Sequence, residues 1–130
     1  MRLILGVVLA LACAQPTFAQ ERLSPDAFLD IAEGHTLTFR HHPSGQLVGI
    51  EEFLSHDRTV WARDDGTCTY GRIILDGLYI CFRYEDDPGV DHCWIPYDHA
   101  DGMLVWSSDD VQHVTSISDR PVVCEGAPLS

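Results

Sequence analysis

Residues 67–97 read Thr67-Cys68-Thr69-Tyr70-Gly71-Arg72-Ile73-Ile74-Leu75-Asp76-Gly77-Leu78-Tyr79-Ile80-Cys81-Phe82-Arg83-Tyr84-Glu85-Asp86-Asp87-Pro88-Gly89-Val90-Asp91-His92-Cys93-Trp94-Ile95-Pro96-Tyr97. Three runs rich in β-branched and aromatic residues, Thr67–Leu75, Leu78–Tyr84 and Asp91–Tyr97, are cut by two turn signals. Asp76-Gly77 is a two-residue hairpin signal, and Glu85–Val90 is a longer turn carrying Pro88 and Gly89. If the second and third runs pair about Asp87, Cys81 faces Cys93. Directly opposed residues of a non-hydrogen-bonded antiparallel pair have Cα atoms about 4.5 Å apart, within disulfide reach.

The same rhythm extends in both directions. Upstream, Thr36–His41 alternates with Leu37 and Phe39 on one face, Pro43-Ser44-Gly45 turns, and Leu47–Leu54 continues as a strand. Thr59–Arg63 follows, then the turn Asp64-Asp65-Gly66. Downstream, Asp98–Gly102 turns into Met103–Ser107, and Ser108–Asp110 turns into Val111–Ser118. About eight short strands joined by hairpin-length turns predict a mainly β fold, a small antiparallel meander closed into a barrel or folded as a sandwich. One helix precedes them. Ser24 can cap it, Pro25 suits its first position, Asp26 favours its positive end, and Gly34 stops it. Phe28, Leu29, Ile31 and Ala32 supply its apolar side. It is too short to persist alone, so it caps an open end or lies on the wall.

The first nineteen residues have a different character. Arg2, the apolar run Leu3–Ala14 and the small-residue site at Thr17-Phe18-Ala19 read as a secretory signal, with 1–19 removed and 20–130 forming a single domain. Cys13 as a lipidated residue is the competing reading. It lacks the usual leucine three places earlier, where Ala10 stands. Loss of Cys13 leaves Cys68, Cys81, Cys93 and Cys124, an even set that predicts two disulfides in an oxidising compartment. The strand register favours Cys81–Cys93 with Cys68–Cys124. Cys68–Cys81 with Cys93–Cys124, and Cys68–Cys93 with Cys81–Cys124, are the alternatives.

The full chain of 130 residues has a formal charge of −12 and contains no lysine. Such an acidic surface repels phosphate backbones and anionic bilayers, which argues against nucleic-acid binding and against membrane adhesion after signal removal.

A set of cysteines and aromatics marks the middle of the chain: Glu52-Phe53, Arg58, Trp61, Gly66-Thr67-Cys68, Ile80-Cys81-Phe82-Arg83-Tyr84-Glu85 and Cys93-Trp94. In these markers the chain resembles a family of small, exported, uncharacterised proteins of proteobacteria, a domain of unknown function. The resemblance spans most of the chain after the signal. It implies an exported lipocalin-like or similar small β-domain, and it brings no activity and no site residues.

No chemical motif stands out. His41-His42, His56-Asp57, Asp91-His92 and Asp98-His99 are the metal candidates, but they sit in or near turns, and no His-x-His or Cys-x-x-Cys pair occurs. Glu51 and Glu52 are consecutive and face opposite sides of a strand, so they form no acid/base pair. One of them turning inward would meet Arg58 or Arg72. The acidic turns match turn chemistry rather than a calcium loop. No nucleophile elbow, zinc-protease pair or phosphate loop is present. Accordingly no catalytic, cofactor-binding or metal residue and no cofactor is assigned. The aromatics Trp61, Trp94, Trp106, Phe39, Phe53, Tyr70, Tyr79, Phe82 and Tyr84 read most simply as the core, with a pocket for a small apolar ligand as the sharper reading.

The expected role is a non-catalytic periplasmic or secreted binding module. Its partner would be a protein, such as a secreted hydrolase that it inhibits, or a small apolar ligand. The alternatives are an enzyme with a dispersed site and a His/Asp metal-binding protein. For processing, intact mass of protein from a periplasmic extract should match a lipid-free chain beginning at Gln20. An acylated Cys13 would rule out the soluble assignment.

Overall fold

A computed structural model describes residues 12–14 and 20–125. Most of the expected signal segment, and residues 126–130, lie outside the described residues. The chain forms one helix, α1 (Pro25–Ala32), and eight strands: β1 (Thr36–His41), β2 (Leu47–Phe53), β3 (Arg58–Arg63), β4 (Cys68–Asp76), β5 (Tyr79–Tyr84), β6 (His92–His99), β7 (Gly102–Trp106) and β8 (Val111–Ser118). Every strand pairs antiparallel with its neighbours in sequence, and β1 pairs with β8 to close the barrel. This is the up-and-down arrangement shared by lipocalins. The barrel is what the strand spacing predicted, and the sandwich alternative does not form.

Most strand ends fall within a residue or two of the expected bounds; the hairpin between β4 and β5 differs instructively. Its two turn residues are Gly77 and Leu78, with Asp76 still paired to Tyr79. Gly77 has φ +59, the sign a type II′ turn requires at its first central residue. The glycine is therefore needed one place earlier in the turn than the Asp-Gly signal implied.

Helix α1 starts as its sequence dictates. Ser24 Oγ accepts from Ala27 N at 3.0 Å, and Pro25 occupies the first turn. Gly34, at φ +77, breaks the helix and donates its N–H to Phe53 O, tying the helix end to the last residue of β2. Phe28, Leu29 and Ala32 are buried among the inward residues of the strands, and the Phe28 and Phe53 rings meet at 5.9 Å. The helix thus closes the barrel end where β1 begins and β2 finishes. Ile31, expected on its apolar side, is exposed.

The aromatics divide by strand parity. Phe39, Phe53 and Phe82 are buried inside, with Trp61, Tyr84 and Trp94 packed half-buried against them. Tyr70, Tyr79 and Trp106, also expected in the core, stand exposed on the outer face. Two inward glycines accommodate the inner rings. A Cβ at Gly49 would meet the Trp61 ring at 2.4 Å, and one at Gly71 would meet the Tyr84 ring at 2.8 Å. These rings lie over the wall of the barrel because the residues beneath them have no side chain.

Two disulfides staple the wall. Cys81 and Cys93 are direct partners of β5 and β6, with Cα atoms 4.0 Å apart. Cys124 reaches back to Cys68, with Cα atoms 5.5 Å apart. The tail runs along the outside of β2 and β3, where Val122 N donates to the Glu52 carboxylate at 3.3 Å and Glu125 N to Gly66 O. The other two pairings are excluded. Cys13 is exposed and unbridged. The bridges enclose sequence separations of 56 and 12 residues. In the chain-entropy model these contribute about 4 and about 3 kcal/mol. Replacing both cysteines of the Cys68–Cys124 pair by serine should therefore lower unfolding free energy more than the same change at Cys81–Cys93. Denaturant melts of the two double variants check the order.

Candidate functional site

The end of the barrel opposite α1 is open. Below its mouth lies a cavity of about 490 Å³, with Phe28, Phe39, Ile80, Phe82, Val105, Trp61 and Trp94 among its walls. Arg63, Asp86, Asp87 and His92 line the same cavity from the strand ends and the β5–β6 loop. The Arg63 guanidinium pairs with Asp86, which holds that carboxyl below the usual carboxylate range. Arg83 grips Asp91 through two hydrogen bonds, at 2.7 and 3.0 Å, and fixes the far side of the same loop.

Among these apolar walls stands one carboxyl group. Alternation along β2 puts Gly49, Glu51 and Phe53 on the inner face, and Glu51 is only 3% exposed. Its Oε1 accepts from Thr59 Oγ1 at 2.7 Å and from the Tyr84 hydroxyl at 2.9 Å. Tyr84 comes from β5, three strands around the barrel, and reaches Glu51 across the gap left by Gly71 and the small Thr59. Those three residues share one rung, since Thr59 opposes Gly71 and Gly71 opposes Tyr84. Burial pushes the Glu51 carboxyl up from its ordinary 4.5 to about 7, against the opposing pull of the Thr59 and Tyr84 hydrogen bonds. Burial and the neighbouring Glu51 carboxyl together hold the Tyr84 phenol well above 10, so it remains a donor.

Glu51 is thus the inward member of the Glu51-Glu52 pair, but its partners are Thr59 and Tyr84. Arg58 and Arg72 oppose one another on the outside and are exposed. Parity along β2 was enough to turn one of the two inward, and the register of β2 makes it Glu51. The Tyr84 contact depends on barrel curvature, and the only hint in the sequence is the glycine at 71.

The histidine candidates do not converge. His41 pairs with Asp110 at 3.2 Å, His56 with Asp30 at 3.3 Å, and His92 lies 3.9 Å from Asp87. His42, His99 and His113 cluster edge to face on the outer surface, with ring centroids 5.1 to 6.1 Å apart. There His113 Nε2 faces Asp101 O at 2.9 Å and His99 Nδ1 faces the Gln20 amide. Among the described residues, no group of three or more His, Cys, Asp or Glu side chains is arranged to hold a metal ion. Asp65 accepts from Thr67 N and Oγ1 at 2.9 and 2.6 Å, the local bonding of a turn. No helix among the described residues is long and apolar enough to cross a membrane.

Compared with protein-family models, curated proteins and solved structures, the chain matches none. The cavity itself is therefore the guide to function.

The Glu51 carboxyl makes stability depend on pH. Its folded-state value lies above the ordinary one, so its contribution is full below about pH 4.5 and is lost as pH rises through about 7. The full swing is about 3 kcal/mol. Glu51→Gln keeps an acceptor for Thr59 and Tyr84 without the charge. It should match the parent near pH 4.5 and exceed it by about 1–3 kcal/mol near pH 8. Urea melts across that range check this, and a variant less stable than the parent at pH 8 would contradict the burial argument.

Proposed function

We propose that this protein is a non-catalytic binding module that carries a small, largely apolar ligand inside its barrel. The observation that carries this reading is the cavity of about 490 Å³, walled by aromatic rings and holding a single buried carboxyl. Small-molecule sites are concave and mostly apolar, with a few placed polar groups, and span about 300–1,000 Å³. An eight-stranded barrel is just wide enough to hold one such ligand when its inner side chains do not fill it.

Glu51 is the polar group that orients the occupant. A carboxyl titrating near neutrality inside a cleft is also a recognised mark of acid/base catalysis. Its two bonded neighbours here are a threonine and a neutral phenol, an arrangement that holds the carboxyl in place. That favours binding over the enzyme alternative.

The same proposal places the protein outside the cytoplasm. Two disulfides are consistent with an oxidising compartment, and the signal-like opening of the sequence supports export, in a bacterium to the periplasm. On this reading it belongs with the small exported β-domains that its cysteine and tryptophan markers resemble.

A neutral apolar fluorophore such as N-phenyl-1-naphthylamine should bind the folded protein saturably, one per chain, with enhanced emission. It should also raise the melting temperature, since a ligand at 100 times its Kd adds about 2.7 kcal/mol. A linear, non-saturating signal with no thermal shift would overturn the proposal.

A further inference from the structure

We propose that the ligand carries a cationic amine on its apolar body, with the amine seated against Glu51 and the body held by the rings of Trp61 and Trp94. This rests on the reading of the barrel as a ligand carrier and names the chemistry of its occupant.

The first argument is hydrogen-bond accounting. Both hydroxyl donors land on Glu51 Oε1, and Oε2 accepts no hydrogen bond from the described residues. No wholly buried side-chain oxygen or nitrogen among those residues is left unpartnered, so Oε2 opens to the cavity that Glu51 lines. A hydrocarbon over this oxygen leaves an acceptor dry, at a cost of about 1–3 kcal/mol. An anionic head meets a like charge. An ammonium group supplies up to three donors and converts the burial of a carboxylate into a charge-assisted hydrogen bond.

The second argument is the countercharge. The groups of the cavity that carry or can gain charge are Arg63 from β3, Tyr84 from β5, Asp86 and Asp87 from the loop, and His92 from β6. From α1, β1, β7 and β8 the cavity receives Phe28, Phe39, Val105 and Gln112, and none of these titrates. Arg63 is the cation nearest to hand, and it is spent on Asp86 and, at 3.4 Å, on Thr67 Oγ1. Glu51 is left as the buried charge awaiting a partner. Two rim carboxylates against one guanidinium, on a chain of charge −12, draw cations toward the mouth.

The third argument is the wall. Trp61 is the direct cross-strand partner of Glu51, and the Phe39 ring stands against it at 6.0 Å. Aromatic faces attract cations beyond what their area contributes. A carboxylate flanked by indole and phenol is a site in which an ammonium meets favourable electrostatics on several sides.

Calorimetry with three matched probes tests this on the folded protein: 2-phenylethylamine, 2-phenylethanol and 3-phenylpropanoate. At pH 8 the amine should bind at least about ten-fold tighter than the alcohol, and the carboxylate weakest of the three. Alkylammonium groups stay protonated to about pH 10, so the amine's affinity should follow Glu51 ionisation and fall about 30-fold from pH 8.5 to 5.5. Near neutrality, binding should release a proton from Glu51 to the buffer. Glu51→Gln should still bind the alcohol, and it should lose both the preference for the amine and the pH dependence. A pH dependence that survives in Glu51→Gln would assign it to His92 or the rim carboxylates and overturn the proposal. Tighter binding of the alcohol or the carboxylate would overturn the amine and leave the carrier reading standing. No binding of any probe, N-phenyl-1-naphthylamine included, would overturn both.

Discussion

The pairing of β1 with β8 is the constraint on which the rest depends. It runs from Thr36 opposite Ser118 to His41 opposite Gln112 and joins the first strand of the meander to the last. Without it, eight antiparallel strands form an open sheet with two exposed edges and no inside. Closing the sheet requires strong local bending, and the two strands that flank β1 supply it. The register slips between Thr38 and Phe39 on the β8 side and between Phe39 and Arg40 on the β2 side. The extra residues, Val48 on β2 and Thr115 on β8, bulge the two flanking strands at the height of Phe39, which lines the cavity.

Once the barrel is closed, its radius is set by strand number, and the inward side chains decide whether it is solid or hollow. At the helix end, Phe28, Leu29, Leu37 and Phe53 fill it. Higher up, glycine at 49 and 71 replaces two wall side chains, and the large rings of Trp61 and Tyr84 occupy that space. A large aromatic beside an inward glycine fills the wall and leaves the lumen open. The same substitution of space explains Glu51. Its carboxyl is tolerable because Tyr84 can reach it over Gly71, and its burial stays incompletely offset because only one oxygen is satisfied. A fully paired carboxylate would contribute to stability at neutral pH; this one opposes it.

Strand order and disulfide pairing were legible in the sequence because each depends on local alternation and turn length; alternation also sets one of Glu51 and Glu52 inward, and the register of β2 makes it Glu51. Cys81 and Cys93 follow from counting out from a hairpin. The fate of individual aromatics was less legible. Trp61 and Trp106 look alike in sequence, yet one faces the cavity and the other stands on the outer surface; which way each turns depends on a parity that only the pairing register fixes. Arg58 and Arg72 were expected as partners of the inward glutamate because opposite charges attract. They sit across from one another on the outer face, where water solvates both at little cost. The real partner, Tyr84, comes from a strand not adjacent to β2. Contacts across the lumen depend on curvature, and curvature leaves no period in the sequence.

If the barrel carries a ligand as proposed, the position of the carboxyl also bears on how it would discriminate. An apolar cavity alone separates ligands weakly, since one methylene is worth only about 1–3 kcal/mol. A buried group that must be matched separates them strongly, because the wrong partner leaves it unpaired. Glu51 is placed to work in this second way. It lies beside Trp61 in the wall of the cavity, where an occupant's head group and apolar body would be matched together. On the proposed carrier reading, shape and hydrophobicity would govern entry, and the head group retention. Both selections would act within one cavity, to which the Arg63–Asp86 pair and the Glu51–Tyr84 contact both belong.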